Sequence, residues 1–514
     1  MQRIFGVGSY WPAIHFRSLK AIKTPASVAL LLALFFACSW DGLLVPFDSD
    51  DLMNLHEGWM IPLSRVLAAL TNPATDLYRP SGALYYRTCF AIFGWNPFAF
   101  RVVFYCLLLF NIFLVFRLGR ALKTSRAASY IACLLFSFHP RMWQYFTSGG
   151  TIYDVLCCSL CLVALKVHIE FEPLETKVHS KFASAFYRYL FPALLLAIAL
   201  NAKEMAVVFP ALILLYSCIY SPPYNRHAIS LKLLGQIKVP LFFTGLTTLF
   251  LWGKLGNVGP LQANPAYRLS FTWDQFLSNS QRLYADLLRM NDRMTPKELL
   301  AFAFAVGVFF FVYRKSKPVR FLAAFVLLTP LPIMFIPWRG SFVMYIPLVG
   351  WTILVGVLLT DLKQKIVGWK PLVFGVPSDP FTSLIVLVSM VTLIYSGVFD
   401  KVFSASSVDP LSGTIERTKG DLMHLSEPLP YGASILMLHS RFPDDAWGPL
   451  MIARLLYGDR ELALDRPTML EKVPELSSYD RVVDLRSQHL IVTSRKPADK
   501  RTTHMPHTYG RWFY

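Results

Sequence analysis

Three carboxylates stand within four positions in Phe47-Asp48-Ser49-Asp50-Asp51-Leu52, directly after the first hydrophobic run of the chain. A charge at the centre of a bilayer costs at least ~3 kcal/mol, so these side chains must face water or a polar cavity between helices. Two more polar sets interrupt hydrophobic runs further on, Asn201-Ala-Lys203-Glu204 and Pro337-Trp338-Arg339-Gly340. His139, Arg141 and Asp154 lie near the ends of neighbouring runs, and Tyr78-Arg79-Pro80 follows the acidic stretch. Carboxylates set against lysine and arginine at a membrane surface suit transfer of a sugar from a polyprenyl-phosphate carrier, whose lipid tail keeps it in the bilayer. A positioned carboxylate takes the proton of a weakly nucleophilic hydroxyl as the new bond forms. The phosphate leaving group needs no general acid, only neutralisation of its charge in a low dielectric. One carboxylate base with in-line displacement inverts the anomeric centre, by analogy with inverting hydrolysis.

Each set also has an ordinary structural reading. The aspartates can be a solvated loop, Lys203–Glu204 an ion pair easing a helical hairpin, Arg339 an interface anchor and His139 a helix-end histidine. Their coincidence on one side of the membrane is what favours a site. No cofactor is required by these residues. A divalent metal at Asp50-Asp51 is conceivable, although no second cluster completes a coordination sphere.

The elements that position these groups follow from composition. The chain has 514 residues, 54% hydrophobic and only 16% charged, with a mean hydropathy of +0.44. A soluble domain carries about 25% charged residues, so the expectation is an all-α polytopic membrane protein. Eleven spans are expected, with cores near 26–44, 98–117, 127–146, 151–167, 188–202, 205–220, 239–253, 298–313, 320–337, 341–360 and 381–399. Several fall short of the ~20 residues of a straight span. The first runs into the acidic loop with no small-residue cleavage site, which reads as a retained anchor.

The net charge of +18 raises nucleic acid as a partner, but its placement excludes it. With the N-terminus in the cytoplasm, the excess falls in the cytoplasmic segments: Arg3 to Lys23, Arg117 to Arg126, Lys166 to Arg188, Arg226 to Lys238, Arg314 to Arg320 and Lys363 to Lys370. Only Glu170, Glu172, Glu175, Asp361 and Asp379 oppose it there. That is the positive-inside pattern, and it puts the acidic loop 45–97, the turns near 139–150, 201–205 and 338–341, the loop 254–297 and the tail on the outer face. The apolar positions from Leu52 to Leu70 have helical spacing, which predicts either an amphipathic helix lying at the interface or an ordinary packed loop helix.

The tail changes character. Its charges balance, Ala433–Leu438 and His489–Thr493 read as strands, and a helix is expected over 449–457. The expected organisation is a membrane domain over 1–400 and a small extracytoplasmic α/β domain over 401–514. The eight cysteines show no zinc spacing and no disulfide framework, and Cys157-Cys158-x-x-Cys161 reads as small-residue packing on a membrane helix.

The sequence resembles the GT-C glycosyltransferases that use polyprenyl- or dolichyl-phosphate sugars. It looks most like the membrane domain of the transmembrane and tetratricopeptide-repeat O-mannosyltransferases, and more loosely like the aminoarabinose and protein mannosyltransferases. The matching pieces, in order, are Asp50-Asp51, Tyr78-Arg79-Pro80-Ser81, Phe93 to Phe98, His139-Pro140 with Gly150 to Asp154, Lys203-Glu204, and Tyr345-Ile346-Pro347-Leu348-Val349-Gly350, covering roughly 28–360. The chain departs from the pattern at Gln144, where an acidic residue is expected, at Trp338-Arg339, which stand early, and in having no tetratricopeptide array.

The resemblance implies a GT-C fold and a lipid-linked donor, with Asp50 or Asp51 as base and Asp48 in reserve. It places Lys203 and Arg339 at the donor phosphate, Glu204 orienting Lys203, and Arg79 shaping the cavity, with His139 and Asp154 in support. It suggests a mannose-type sugar. The acceptor, a protein, lipid or glycan, does not carry over. A bacterial inner membrane with a periplasmic tail is expected, because the tail is short and holds no Asn-x-Ser/Thr. A transporter or flippase of an anionic or lipid-linked substrate is the rival, and would call for internal inverted repeats; none is evident. A scaffold whose tail does the work would call for a recognisable site there, and the tail offers none.

Overall fold

The computed structural model describes residues 25–72, 75, 77, 79–139, 142–171, 181–220, 229–256, 268–288, 290, 293–368, 409–424, 429–443, 446–470, 475–484 and 489–491. The chain divides into two compact units, at Asp41 and Gly42. Most of α1 (Pro25–Leu43) belongs to the first, where Ser39 Oγ donates to the Phe35 carbonyl at 2.7 Å, one helical turn back.

The second unit is mainly helical. Its helices are α2 (Ser49–Met60), α3 (Leu63–Ala69), α4 (Pro80–Phe93), α5 (Pro97–Ala121), α6 (Arg126–Ser137), α7 (Trp143–Thr147), α8 (Ile152–Phe171), α9 (Lys181–Ala185), α10 (Phe191–Leu200), α11 (Phe209–Tyr220) and α12 (Ile229–Gly256). Then come α13 (Trp273–Leu287), α14 (Pro296–Val312), α15 (Lys317–Leu328), α16 (Tyr345–Gly368), α17 (Pro410–Met423) and α18 (Gly448–Tyr457). Among the described residues three helical stretches are long and apolar enough to cross a membrane: Pro97–Ala121, Gly149–Phe171 and Ser341–Asp361. Leu31–Leu43, Arg126–Ser137, Phe186–Leu200 and Glu204–Tyr220 are apolar but shorter. The eleventh expected span, 381–399, lies outside the described residues, as does the expected domain boundary at 400–401.

Capping chemistry starts these helices. Asn96 accepts the Ala99 N–H at 3.3 Å and Pro97 opens α5. Thr295 and Glu298 close a reciprocal capping box ahead of α14, again with proline first. Proline also explains where the structure departs from the expected spans. The helix expected from Leu52 to Leu70 breaks at Ile61-Pro62, because proline drives the preceding residue to extended backbone; Ile61 has φ −74° and ψ 133°. The span expected over 127–146 likewise ends at Ser137, ahead of His139-Pro140, and resumes only as the short α7. The span at 320–337 stops at Leu328, before Pro330 and Pro332.

The helices pack as a connected set. α5 and α8 lie together, α6 packs on α16 and on α5, α10 on α8, and α15 on α16 and α11. The core runs through Phe104, Leu108, Phe136, Leu196, Phe209 and Phe321, all buried. On α14 the row Leu300, Phe304, Val308 and Phe311 stays exposed. An exposed apolar row of this length is unfavourable in water and ordinary against lipid.

The tail beyond Asp409 forms a four-stranded sheet in the order β2-β1-β3-β4, from β1 (Ser434–His439), β2 (Ala463–Asp465), β3 (Arg481–Asp484) and β4 (His489–Ile491). β1 runs parallel to β2 and β3, and β4 returns antiparallel to β3. The expected strands and the helix at 449–457 are all present. α18 packs directly on α2, the helix that begins inside the acidic stretch.

Candidate active site

α2 begins inside the acidic stretch. Asp48 is its N-cap, and its carboxylate accepts the Asp51 N–H at 2.6 Å while the Asp51 carboxylate reaches back to the Asp48 N–H at 3.4 Å. The spacing is that of a capping box, with aspartate in the place usual for Glu. Asp51 also forms an ion pair with Arg101 of α5 at 2.8 Å and accepts the Tyr86 hydroxyl of α4 at 2.9 Å. Arg101 donates in addition to the Pro46 carbonyl at 3.2 Å. Side chains of the Arg101–Asp51 pair are at most 3% exposed. Asp51 therefore fastens α2 to α4 and α5.

Asp48 is buried as well. Burial, then the charge of Asp51, pushes its carboxyl up to about 7, against the pull of Arg101 and of hydrogen bonds from Ser148 and the Asp51 N–H. Asp50 differs from both. A residue step on a helix turns the side chain by about 100°, and Asp50 is exposed where Asp48 and Asp51 are buried. Its carboxyl is also raised, by partial burial first, then by the charges of Asp51 and Asp409. Arg339 and Lys203 act on it in the opposite sense. Groups from three separate turns thus bear on one carboxylate.

A pair of glycines permits this arrangement. A Cβ on Gly149 would fall 2.0 Å from Asp51 Oδ1, and one on Gly150 would fall 2.8 Å from the Asp50 Cβ. Gly149→Ala is expected to destabilise the protein by at least ~1–3 kcal/mol, the usual effect of overpacking, because the group displaced belongs to a buried ion pair. Thermal unfolding in detergent measures it, and an unchanged midpoint would contradict the packing described.

Beside the aspartates lie the other sequence-predicted groups. The Lys203 ammonium holds Asp154 of α8 at 2.9 Å, with side-chain exposures of 8% and 4%, and sits 5.0 Å from the Phe342 ring centre. Arg79 pairs with Glu204 at 3.0 Å and lies 5.1 Å from the centre of the Tyr153 ring. The Tyr153 hydroxyl donates to Asn54 Oδ1 at 2.5 Å, and Asn54 Nδ2 donates to the Asp50 carbonyl at 2.7 Å. A continuous path of contacts therefore joins Asp50, Asn54, Tyr153, Arg79 and Glu204.

One expected pairing is corrected. Glu204 was expected to orient Lys203, but its carboxylate takes the Arg79 guanidinium, and Asp154 takes Lys203. The turn explains it. Lys203 is extended (φ −154°, ψ 145°) and Glu204 opens the following 3-10 turn, so consecutive side chains diverge towards different helices. Arg339 is half-buried on the turn before α16, where Gly340 adopts φ 104°, a conformation that favours glycine. His139 is buried and its Nε2 lies 3.4 Å from the Leu287 carbonyl, joining the end of α6 to α13. Tyr78, Pro140 and Arg141 lie outside the described residues. Among the described residues no group of three or more His, Cys, Asp and Glu converges to hold a metal ion.

Residues that the sequence reading did not single out complete the site: Asn54, Tyr86, Arg101, Tyr153, Phe342 and Asp409. Arg101 carried a legible signal, being a cation inside an apolar run, where a charge needs a partner. Tyr86 and Asp409 carried none.

No family model and no curated protein matches this chain. Solved structures similar to it include ArnT from Cupriavidus metallidurans bound to undecaprenyl phosphate, at 13% identity and a TM-score of 0.46, covering 85% of each chain. Another is the archaeal oligosaccharyltransferase AglB from Archaeoglobus fulgidus, in complex with an inhibitory peptide and a dolichol-phosphate. It is 10% identical, with a TM-score of 0.47, and the match covers 86% of this chain and 64% of that one. The apo form of the Archaeoglobus fulgidus oligosaccharyltransferase matches at 11% identity and a TM-score of 0.43, over 89% and 65% of the two chains. A likeness at this level assigns no chemistry to the chain, which must come from the site itself.

Proposed function

We propose that this chain is an integral membrane glycosyltransferase that moves a sugar, of mannose type by sequence resemblance, from a polyprenyl-phosphate carrier to a hydroxyl acceptor on the outer face. The observation that carries the reading is Asp50, the exposed member of an otherwise buried acidic cluster, joined through Asn54 and Tyr153 to Arg79 and Glu204, with Lys203 held beside Glu204 by Asp154. Asp50 is the general base. It takes the acceptor proton as the hydroxyl oxygen forms its bond to the anomeric carbon, and the carrier phosphate leaves with the electron pair of the broken bond, inverting that centre. Lys203 has three N–H donors, of which Asp154 takes one, so the remainder can meet the phosphate. Arg339 neutralises the leaving charge from the facing turn. Arg79, held by Glu204 and stacked on Tyr153, forms the wall between them. Asp48 and Asp51 hold α2 and take no part in the proton transfer. The acceptor is a protein, lipid or glycan, and the setting a bacterial inner membrane with the N-terminus inside and the tail in the periplasm.

The test is consumption of radiolabelled polyprenyl-phosphate sugars by the purified protein in nanodiscs, with Arg339→Gln alongside. Removing a charge-assisted hydrogen bond worth ~1.5–3 kcal/mol is expected to raise the donor KM at least ~10-fold. The reading is wrong if a folded protein consumes none of the donors offered with hydroxyl acceptors. An unchanged donor KM in Arg339→Gln would remove Arg339 from the phosphate site.

A further inference from the structure

The first loop and the distant tail meet at the start of α2. Asp409 lies 360 residues from Ser49, yet its Oδ2 accepts both the Ser49 N–H at 2.8 Å and the Ser49 hydroxyl at 2.7 Å. Its other oxygen accepts the Leu411 N–H at 3.0 Å, capping α17 just ahead of Pro410. One carboxylate thus serves the first turn of two helices. Ser49 is the residue immediately before Asp50.

Other contacts hold the same two parts together. Trp95 Nε1 donates to Glu416 of α17 at 3.2 Å, and the Lys419 ammonium lies 5.4 Å from the Trp95 ring centre. Arg460 donates to the Trp59 carbonyl at 2.9 Å and lies 5.0 Å from the centre of that ring. The tail is therefore docked on α2 at both ends of that helix.

We infer that the tail is a working part of the site, with Asp409 as a positioning residue that sets the orientation of Asp50 through Ser49. The inference rests on the proposed role of Asp50 as base. Two physical effects follow from the geometry. The paired hydrogen bonds fix the backbone from which the Asp50 side chain leaves. The negative charge of Asp409 opposes ionisation of Asp50 and makes the ionised form a stronger base. Asp409 itself stays ionised: burial alone would raise its carboxyl, but the hydroxyl of Ser49 and the N–H groups of Leu411 and Ser49 hold it below the ordinary value. The groups that bear on Asp50 are Asp51 on its own helix, Asp409 from the tail, Arg339 from the turn before α16 and Lys203 from the turn after α10.

The test compares the full chain in nanodiscs with Asp409→Asn, Ser49→Ala and Glu416→Gln, measuring kcat, donor KM and the pH profile of transfer. Asp409→Asn removes the charge and one of the two acceptors. The expected result is a fall in kcat of ~10- to 100-fold, the scale of a small misplacement of a catalytic group, with donor KM little changed. The acid limb of the profile should move to lower pH, because loss of a nearby negative charge lets Asp50 ionise more readily. Ser49→Ala keeps the backbone bond and the Asp409 charge, so it should lower kcat less and leave the limb in place. Glu416→Gln weakens the docking of α17 without touching Asp50, and its limb should not move either. Thermal unfolding of each variant separates loss of fold from loss of rate. If Asp50→Asn is inactive while folded Asp409→Asn matches the wild type in kcat and pH profile, the inference fails and the base assignment survives. If Asp50→Asn is itself fully active, the site reading fails and the inference with it.

Discussion

Asp50→Asn will lower sugar transfer by ~10²–10⁴-fold, the usual contribution of a positioned general base, while the donor still binds. The change removes a proton acceptor and leaves size and helix position intact. The cap of α2 belongs to Asp48 and Asp51, not Asp50, so the fold should stand. Donor affinity should stand as well, because Lys203, Arg339 and Arg79 are unchanged. The pH dependence follows from the raised carboxyl of Asp50. A base must be ionised to act, so kcat/KM should rise with pH through a value above the ordinary aspartate pKa of about 3.9. The measurements are single-turnover transfer and donor binding across pH. Retention of full rate by Asp50→Asn would leave the acidic stretch as a helix cap and nothing more.

The second large effect concerns stability. Asp51→Asn should cost ~3–5 kcal/mol, because it removes the carboxylate paired directly with the buried Arg101 guanidinium. That is a large part of the ~5–15 kcal/mol by which a typical domain is stable. The same substitution weakens the reciprocal cap of α2 and alters the bond to Tyr86. Arg101→Met should be similarly harmful, since it strands the carboxylate instead. Both are read as a lowered unfolding midpoint and a reduced yield of folded protein in detergent. Adjacent aspartates thus give opposite signatures: Asp50→Asn keeps its stability and loses rate, and Asp51→Asn loses stability. Unfolding midpoints within ~2 °C of the wild type, on the scale that relates stability to midpoint, would show that Asp51 is not the fastening proposed here.

These opposite roles could not be read from the sequence, where Asp50 and Asp51 are equivalent neighbours after a hydrophobic run. Burial separates them, and burial depends on Tyr86 and Arg101, which lie 35 and 50 residues further along the chain. The pairing of Glu204 is a similar case. Adjacency suggests Lys203, but an extended Lys203 followed by a 3-10 turn sends the two side chains to Asp154 and Arg79.

Local chemistry was legible. Apolar runs bounded by charge marked out helices, of which three described stretches are long and apolar enough to cross a membrane, since a charged side chain is excluded from lipid. The strand-like apolar runs at 433–438 and 489–491 and the helix at 449–457 were read correctly, because short apolar runs and the helical period are properties of the local chain. The breaks at Ile61-Pro62 and His139-Pro140 were written in the prolines, although apolar periodicity masked them. Sequence by itself also offered Asp50, Lys203 and Arg339 as candidates for chemistry, because ionisable residues beside apolar runs are few. Tertiary structure alone decided which of three aspartates is presented, which cation each carboxylate holds, and that a tail residue 360 positions away secures the first turn of α2. Those outcomes depend on distances of a few ångströms between segments remote in the chain, and no local pattern encodes such distances.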